Sequence, residues 1–427
     1  MTKRIHCTYL IESPIDIHRA AELLASEQTI GSFTRVVGET DDITDRFGGR
    51  VEALKIIGKD LEFTLPTSLP INDASRQATQ AVATISFPVE NFAPSLSSLV
   101  AILLGNLFEL QELTGVRLLD IVLPREFLQE FPGPAFGVEG TRQLAGATTG
   151  PIIGTIVKPK LGLSATVIAD LVRTLGFAGI HFIKDDECMT NPPSAPFAER
   201  VKSISAVLND IESQTGRRPM YAFNISDDGD TMCRNHDIVA AAGGTCVMIS
   251  INACGPSAIA QIRRNSSLPI HAHRAGWGML TRHPSLGISF RAYQKLWRLA
   301  GIDQIHIGGI QSKFFESDES VIESARDCLT PLADHRAIMP VISSGQWGGQ
   351  APATYNGIQG DDVIYLAGGG ILGHPMGPEA GVAAISQAWE AAKKGIPLQE
   401  YALTHEPLAA SIKAFGNLRE KRANQNA

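Results

Sequence analysis

Gly179-Ile180-His181-Phe182-Ile183-Lys184-Asp185-Asp186-Glu187 sets an amine and three carboxylates directly behind an apolar run. A buried strand should stop where those charges begin. A hard cation such as Mg2+ takes several oxygen ligands, and an ammonium inside that shell would repel it. Lys184 must therefore lose its charge, pair with a carboxylate, or take up CO2 as a carbamate and become an oxygen ligand itself. A desolvated lysine shifts its pKa readily enough for the last course to be open. Taken alone, the tetrapeptide reads first as a strand-end lysine held by two aspartates, and the remainder of the chain reverses that order.

Outward from this stretch the second half repeats one pattern: a short apolar run, a polar or glycine-rich break, then an amphipathic segment. Eight such runs occur, at 151–158, 180–187, 220–226, 246–252, 269–274, 304–309, 338–345 and 363–370. Helical periodicity between them is clearest over 165–175, 198–211, 290–299 and 381–394. Eight strand-helix units in about 250 residues predict an α/β fold with a (β/α)8 TIM barrel. The first half orders differently. Strand material is expected at 7–11, 35–39, 51–65 and 116–123, with helices at 16–25 and 96–113, and this β-α-β-β-α-β order predicts a ferredoxin-like α+β N-terminal domain. Phe131-Pro132-Gly133-Pro134 marks the boundary, so the expected domains are 1–133 and a catalytic barrel with a C-terminal helical tail over 134–427, ending in the polar stretch 418–427.

Composition narrows the function. With 427 residues, 44% hydrophobic and 19% charged, the chain can bury a large core. Its formal net charge of −7 and lack of a basic run argue against nucleic acid as a partner. No apolar stretch has membrane-spanning length, and none follows Met1-Thr2-Lys3-Arg4 as a signal peptide would. Six cysteines without a C-x-x-C pair are expected in a reduced, cytoplasmic protein.

Barrel enzymes work at the carboxyl ends of their strands. Those ends here carry Lys158 and Lys160, then the 184–187 cluster, Asn224, His271 with His273 and Arg274, His306, Ser343-Ser344-Gly345, and Gly368-Gly369-Gly370. Glycines after the last two strands suit closure of backbone N–H groups around a phosphate. Arg274 and His306 are expected to hold a second anionic group. The loop Gly308-Gly309-Ile310-Gln311-Ser312-Lys313 has the glycines and terminal lysine of a closing lid.

These residues resemble the large chain of ribulose-bisphosphate carboxylase, and within that family the RuBisCO-like proteins that do not fix CO2. The likeness runs through Gly154-Thr155-Ile156-Val157-Lys158-Pro159-Lys160-Leu161-Gly162-Leu163-Ser164, Phe182 to Glu187, His271-Ala272-His273-Arg274-Ala275, His306, Lys313, Ser344-Gly345 and 368–375. It implies that Lys184, carbamylated by CO2, binds Mg2+ with Asp186 and Glu187. Lys158 and the carbamate would move protons, and His273 would contact substrate hydroxyls. Ser344, Gly345, Gly368 and Gly369 would take a phosphate of a phosphorylated small-molecule substrate, and Arg274 with His306 its opposite end. Lys160 would line the site, and Lys313 would close over it. Glu27, beside Gly31-Ser32-Phe33, and Asn106 would complete the site of a partner subunit, which implies a homodimer with shared sites and no small subunit.

Departures from the carboxylase pattern fall at Ile156, Ser32-Phe33, His181, Trp277, Gln346-Trp347 and Leu366. They imply a rebuilt substrate envelope around an intact metal site. The resemblance then implies decarboxylation of 3-oxo-isoapionate 4-phosphate, with transcarboxylation and hydrolysis of the same acid as an alternative. The diketo-methylthiopentyl-phosphate enolase or methylthioribulose-phosphate isomerase of methionine salvage is a third reading, and a noncatalytic regulatory homologue belongs to a different class.

Overall fold

The computed structural model describes residues 3–31, 36–70 and 77–417, so the expected tail at 418–427 and Ser32-Phe33 lie outside the described residues. The chain divides into two units, 1–132 with 276–300, and 133–275 with 301–427. In the first unit, strands β1 (Arg4–Ser13), β2 (Arg50–Leu61), β3 (Ala78–Pro88) and β4 (Gly115–Val122) lie in the order β4-β1-β3-β2. Alternation along β1 buries Ile5, Cys7, Tyr9 and Ile11 completely. Helix Ile17–Glu27 turns Ala20, Ala21, Leu24 and Ala25 inward, and its first turn is capped by Asp16, which accepts from the Arg19 N–H at 3.0 Å.

The ferredoxin-like order is present, with three local corrections. Residues 36–39 are turn rather than strand, and the missing strand is β3, whose Ala78, Ala81 and Ala83 face the core among Ile85 and Phe87. Alanine carries little strand preference, so that alternation is faint in sequence. The helix expected over 96–113 stops at Leu104, where the chain turns at Gly105 into a short 3-10 turn, Asn106–Glu109.

In the second unit β5 (Ile152–Ile156), β6 (Phe182–Lys184), β7 (Met220–Asn224), β8 (Cys246–Ser250) and β9 (Ile270–His273) are parallel neighbours in chain order. The chain then leaves to place β10 (Leu286–Ile288) against β4 in the first sheet, parallel, with Leu286 opposite Val116. Arg117 fixes this addition by donating to the carbonyls of Thr281, His283 and Leu286. Segment 276–300, expected as part of the barrel, therefore groups with the first unit. β11 (Gln304–Gly308), β12 (Met339–Ile342) and β13 (Ile364–Leu366) return to close an eight-stranded barrel, with β13 pairing β5. The eight apolar runs are its eight strands.

Period-two alternation builds the barrel interior in layers. Ile152, Phe182, Met220, Cys246, Met339 and Ile364 pack as its core, followed by Ala222, Met248, Val341 and Leu366. The same columns continue upward into polar residues: Lys158, Lys184 and Asp186, Asn224, His273, His306, Ser343 and Gly368. A close-packed apolar floor thus carries a polar layer at the carboxyl ends of the strands.

Candidate active site

Strand register delivers the first contacts. Ile156 lies opposite Lys184, so two residues further along Lys158 meets Asp186, and their side chains form an ion pair. Lys160 reaches the next carboxylate, with Nζ 2.8 Å from Glu187 Oε1 and 3.7 Å from Asp186 Oδ1. His273 Nε2 approaches Glu187 Oε2 from β9 at 3.6 Å. Asn224, on β7, donates from Nδ2 to the carbonyls of Asp186 and Glu187 at 3.1 and 3.2 Å and so fixes the turn that carries both carboxylates.

Asp185 points the other way, as the residue between two inward-facing neighbours must. Its carboxylate accepts from Tyr221 Oη at 2.6 Å, from the Asn224 backbone N–H at 2.9 Å and from Arg200 Nε at 3.2 Å. Arg200 stands on helix Phe197–Thr215, and both partners are fully buried. Asp185 locks the strand to its helix, leaving Asp186 and Glu187 as the carboxylates that face the mouth.

Lys184 is the unusual group. It is 0% exposed, and among the described residues its ammonium nitrogen meets only the Asp185 carbonyl at 2.8 Å and Met248 Sδ at 3.4 Å, without a carboxylate in hydrogen-bond reach. Burial, only partly offset by Glu187, Asp186 and Asp185, brings its pKa from 10.5 down to about 8. Against the effect of burial, which raises it, the Lys160 and Lys184 ammonium groups help to hold the Glu187 carboxyl below its ordinary value, so Glu187 stays ionised. Ligand atoms of Asp186, Glu187 and Cys188 come within 4.8 Å of one another. Two hard oxygen donors already neutralised by cationic side chains, beside an amine made nucleophilic by burial, fit a divalent cation with a carbamylated Lys184.

A chain of histidines closes the far side. Gln304 Oε1 accepts from His271 Nδ1 at 2.8 Å, His271 Nε2 meets His306 Nε2 at 3.0 Å, and His306 Nδ1 meets Ser343 Oγ at 3.0 Å. Burial lowers His271 to about 3 and holds His306 well below its ordinary value, so both rings are neutral. One tautomer set satisfies the chain: His306 donates from Nε2 to His271 and accepts at Nδ1 from the Ser343 hydroxyl. His273 is likewise kept neutral by burial, with Nδ1 buried and lacking a hydrogen-bond partner.

The glycine-rich ends meet the lysines. A Cβ on Gly368 would lie 4.0 Å from Lys158 Cε, and one on Gly345 4.0 Å from Lys313 Cγ, so both glycines present bare backbone to a functional side chain. Ser344 at φ +79° and Gly345 at φ +77° turn the chain sharply after β12. Gly369 has open space about it, and Lys313 is exposed with its Nζ 5.4 Å from the Phe314 ring centre.

Several expected residues are placed differently. Arg274 and His306 do not form an open anion clamp. Arg274 is engaged by Glu316, with Nη1 to Oε1 at 3.1 Å and Nη2 to Oε2 at 2.5 Å, and His306 is spent in the histidine chain. His181 sits at the amino end of β6, where Nδ1 accepts from the Ile153 N–H at 3.2 Å, and so it belongs to the barrel floor. Leu366 is core, and Gln346 is 1% exposed with its amide donating to the Ile310 carbonyl at 3.2 Å. Trp277 packs with Phe290 and Tyr293 in the first unit. Glu27 ends its helix and Asn106 opens the 3-10 turn, both exposed. A Cβ on Gly105 would lie 2.8 Å from Gln28 Oε1, so those two chain positions are close together in the first unit. Glu316, Tyr221 and Arg200 carry no signal in the sequence, because each acts through a partner 15 to 42 residues away.

The catalytic-domain model of the ribulose bisphosphate carboxylase large chain matches residues 137–415, and its N-terminal-domain model matches residues 2–127. The chain is 48% identical over 418 residues to a 3-oxo-isoapionate-4-phosphate transcarboxylase/hydrolase of Xanthobacter autotrophicus, covering 97% of this chain and 100% of that one. It is 46% identical over 416 residues to a 3-oxo-isoapionate-4-phosphate decarboxylase of Rhizobium etli, covering 97% and 99%. Its fold matches a rubisco-like protein from Burkholderia fungorum with a TM-score of 0.89 at 43% identity, over 96% of this chain and 99% of that one. With both domain models matched across nearly the whole length and the strand-end residues assembled at one barrel mouth, the chain belongs to the ribulose bisphosphate carboxylase large-chain family.

Proposed function

We propose that the protein decarboxylates 3-oxo-isoapionate 4-phosphate. The observation that carries the chemistry is the polar layer around Lys184, in which a buried, carboxylate-free amine adjoins Asp186 and Glu187 while Lys158 stands against Asp186. Near-full-length likeness to two relatives named for this acid supports the substrate. Lys184 as its carbamate, Asp186 and Glu187 would hold Mg2+, and a divalent cation there supplies stabilisation for negative charge developing on neighbouring substrate oxygens.

In a 3-oxo acid, the electron pair of the breaking C–C bond moves onto the ketone oxygen as CO2 leaves, and the carbon must then gain a proton. Lys158, held at the mouth by Asp186, is the donor for that proton. His273, a neutral ring with one donor and one acceptor nitrogen, suits hydrogen bonding to hydroxyl groups. Backbone at Ser344, Gly345, Gly368 and Gly369 receives the phosphate, next to Lys158 and Lys313. Lys160 holds Glu187 ionised.

The reaction is tested with substrate carrying 13C in its carboxyl group and Mg2+. Label should appear as 13CO2 at the rate of substrate loss. Label retained in an organic acid would move the chain to the transcarboxylase/hydrolase reading. Turnover of the methylthio diketone without CO2 release would move it to the enolase of methionine salvage.

The proposal includes a homodimer in which Glu27 and Asn106 complete the site of the partner subunit. Neither has a buried structural task, since both side chains are exposed. Inactive Asn106→Ala and inactive Lys184→Met proteins, mixed under conditions that exchange subunits, should recover activity, because one site in each heterodimer unites wild-type Asn106 with wild-type Lys184. Verified exchange without recovery would place the whole site in one chain.

A further inference from the structure

Where Arg274 leaves β9, its guanidinium is fully engaged in a bidentate pair with the Glu316 carboxylate, at 3.1 and 2.5 Å. The side chains are 7% and 8% exposed, so this is a buried pair. The pair is built into its surroundings. Gly308, at φ +104°, lies directly beneath it, and a Cβ there would come 3.0 Å from Arg274 Nη2 and 3.2 Å from Glu316 Oε2. Bare backbone at the end of β11 thus gives the two planar groups room to lie flat. Glu316 is also anchored: the next residue, Ser317, caps helix Asp318–Leu329 by accepting from the Ser320 N–H at 3.2 Å, and Asp318 Oδ1 accepts from the Gln311 N–H at 2.6 Å. The carboxylate therefore hangs from a helix start clasped to the base of its own loop.

The other candidate for an anion at this side is His306, and it has no charge or free nitrogen to offer. Both ring nitrogens are committed, to His271 and to Ser343, and burial keeps the ring neutral. The two ends of the barrel mouth are consequently unlike. Around Gly345 and Gly368, backbone lies open beside Lys313 and Lys158. At the other end Arg274 already has its counter-ion, and any further anion would be desolvated against a carboxylate.

We propose that Glu316 is a specificity-determining residue that neutralises Arg274, so that the site accepts substrates phosphorylated at one end and rejects bisphosphates. This deepens the reading of the site as one for a phosphorylated sugar acid and rests on it. The opposite end of the substrate should carry neutral hydroxyl or hydroxymethyl groups, which need hydrogen bonds but no counter-ion. Rejection by an unpaired buried charge is a strong form of discrimination, because it acts against the wrong ligand without improving the right one.

The test compares two ketose probes, ribulose 5-phosphate and ribulose 1,5-bisphosphate, by calorimetric titration of the full-length protein with Mg2+. Wild type should bind the bisphosphate no more tightly than the monophosphate. Glu316→Gln, which keeps shape but frees the Arg274 charge, should bind the bisphosphate at least about tenfold more tightly than the monophosphate, with Glu316→Ala behaving alike and circular dichroism reporting that both fold. A wild-type preference for the bisphosphate of tenfold or more would mean that phosphate displaces Glu316, and would overturn the proposal. So would an unchanged ratio in both folded variants. Binding ratios do not depend on which reaction is catalysed, whereas 13CO2 release does, so failure here and failure of the decarboxylase reading are told apart.

Discussion

Lys184→Met should abolish turnover and its Mg2+ dependence while making the protein more stable. Loss of the proposed metal ligand would remove several kcal/mol of charge stabilisation, on the order of 10^3-fold or more in rate. The gain in stability follows from the same burial. Lys184 is charged in the unfolded chain up to its ordinary 10.5 but in the folded protein only up to about 8. The unfolded state therefore binds the proton more readily between those values, and folding carries a penalty that is complete below about pH 8 and fades as pH rises towards 10.5. From 10.5 to 8, at about 1.4 kcal/mol per tenfold change, that penalty is on the order of 3 kcal/mol. Methionine fills similar volume without charge, so the urea midpoint at pH 7, measured free of CO2 and metal, should rise, and the difference from wild type should vanish above about pH 10.5. In the wild type, activation by preincubation with CO2 should climb through about pH 8, as the free amine appears. Activity of the variant within about tenfold of wild type would overturn the carbamate assignment.

Exchanging the two adjacent aspartates for asparagine separates structure from chemistry. Asp185→Asn leaves the fully buried Arg200 without its counter-charge, and breaking one side of such a pair costs about 3–5 kcal/mol, read as a lowered urea midpoint. Asp186→Asn removes a buried carboxylate whose partner Lys158 is 35% exposed and can turn to solvent, so its midpoint should fall less than that of Asp185→Asn while turnover falls about 10^3-fold. The assignment fails if the two variants exchange these phenotypes, with Asp185→Asn losing only activity and Asp186→Asn losing the fold.

Glu316 and Gln346 illustrate where reading from sequence stops. Glu316 lies three residues beyond the lid loop that ends at Lys313, Gln346 directly follows Ser344-Gly345, and both side chains are tied to protein partners. Gln346 donates to Ile310 across the base of the lid, and a Cβ on Gly309 would come 2.6 Å from its amide nitrogen, so glutamine at 346 and glycine at 309 fit one another. Glu316 takes the guanidinium that the family resemblance assigned to a phosphate. In the first unit, the inward face of β3 is mostly alanine and carries little strand signal, and the apolar run of the helix ending at Leu104 continues past the break at Gly105.

The barrel itself was determined by the sequence alone, because parallel strands buried on both faces must appear as continuous apolar runs and charges can enter only where those runs end. That rule located Lys158, Lys184, Asp186, Glu187, His273 and the glycine-rich ends at one mouth without any coordinates. Only the tertiary structure decided what each charge does. Alternation along β6 turns Asp185 to Arg200 and Asp186 to Lys158, burial lowers the Lys184 amine to about 8, and Glu316 cancels Arg274 from 42 residues away. Charge is a property of a residue, but its cost and its partner depend on desolvation and distance, and both are set by what folds against it.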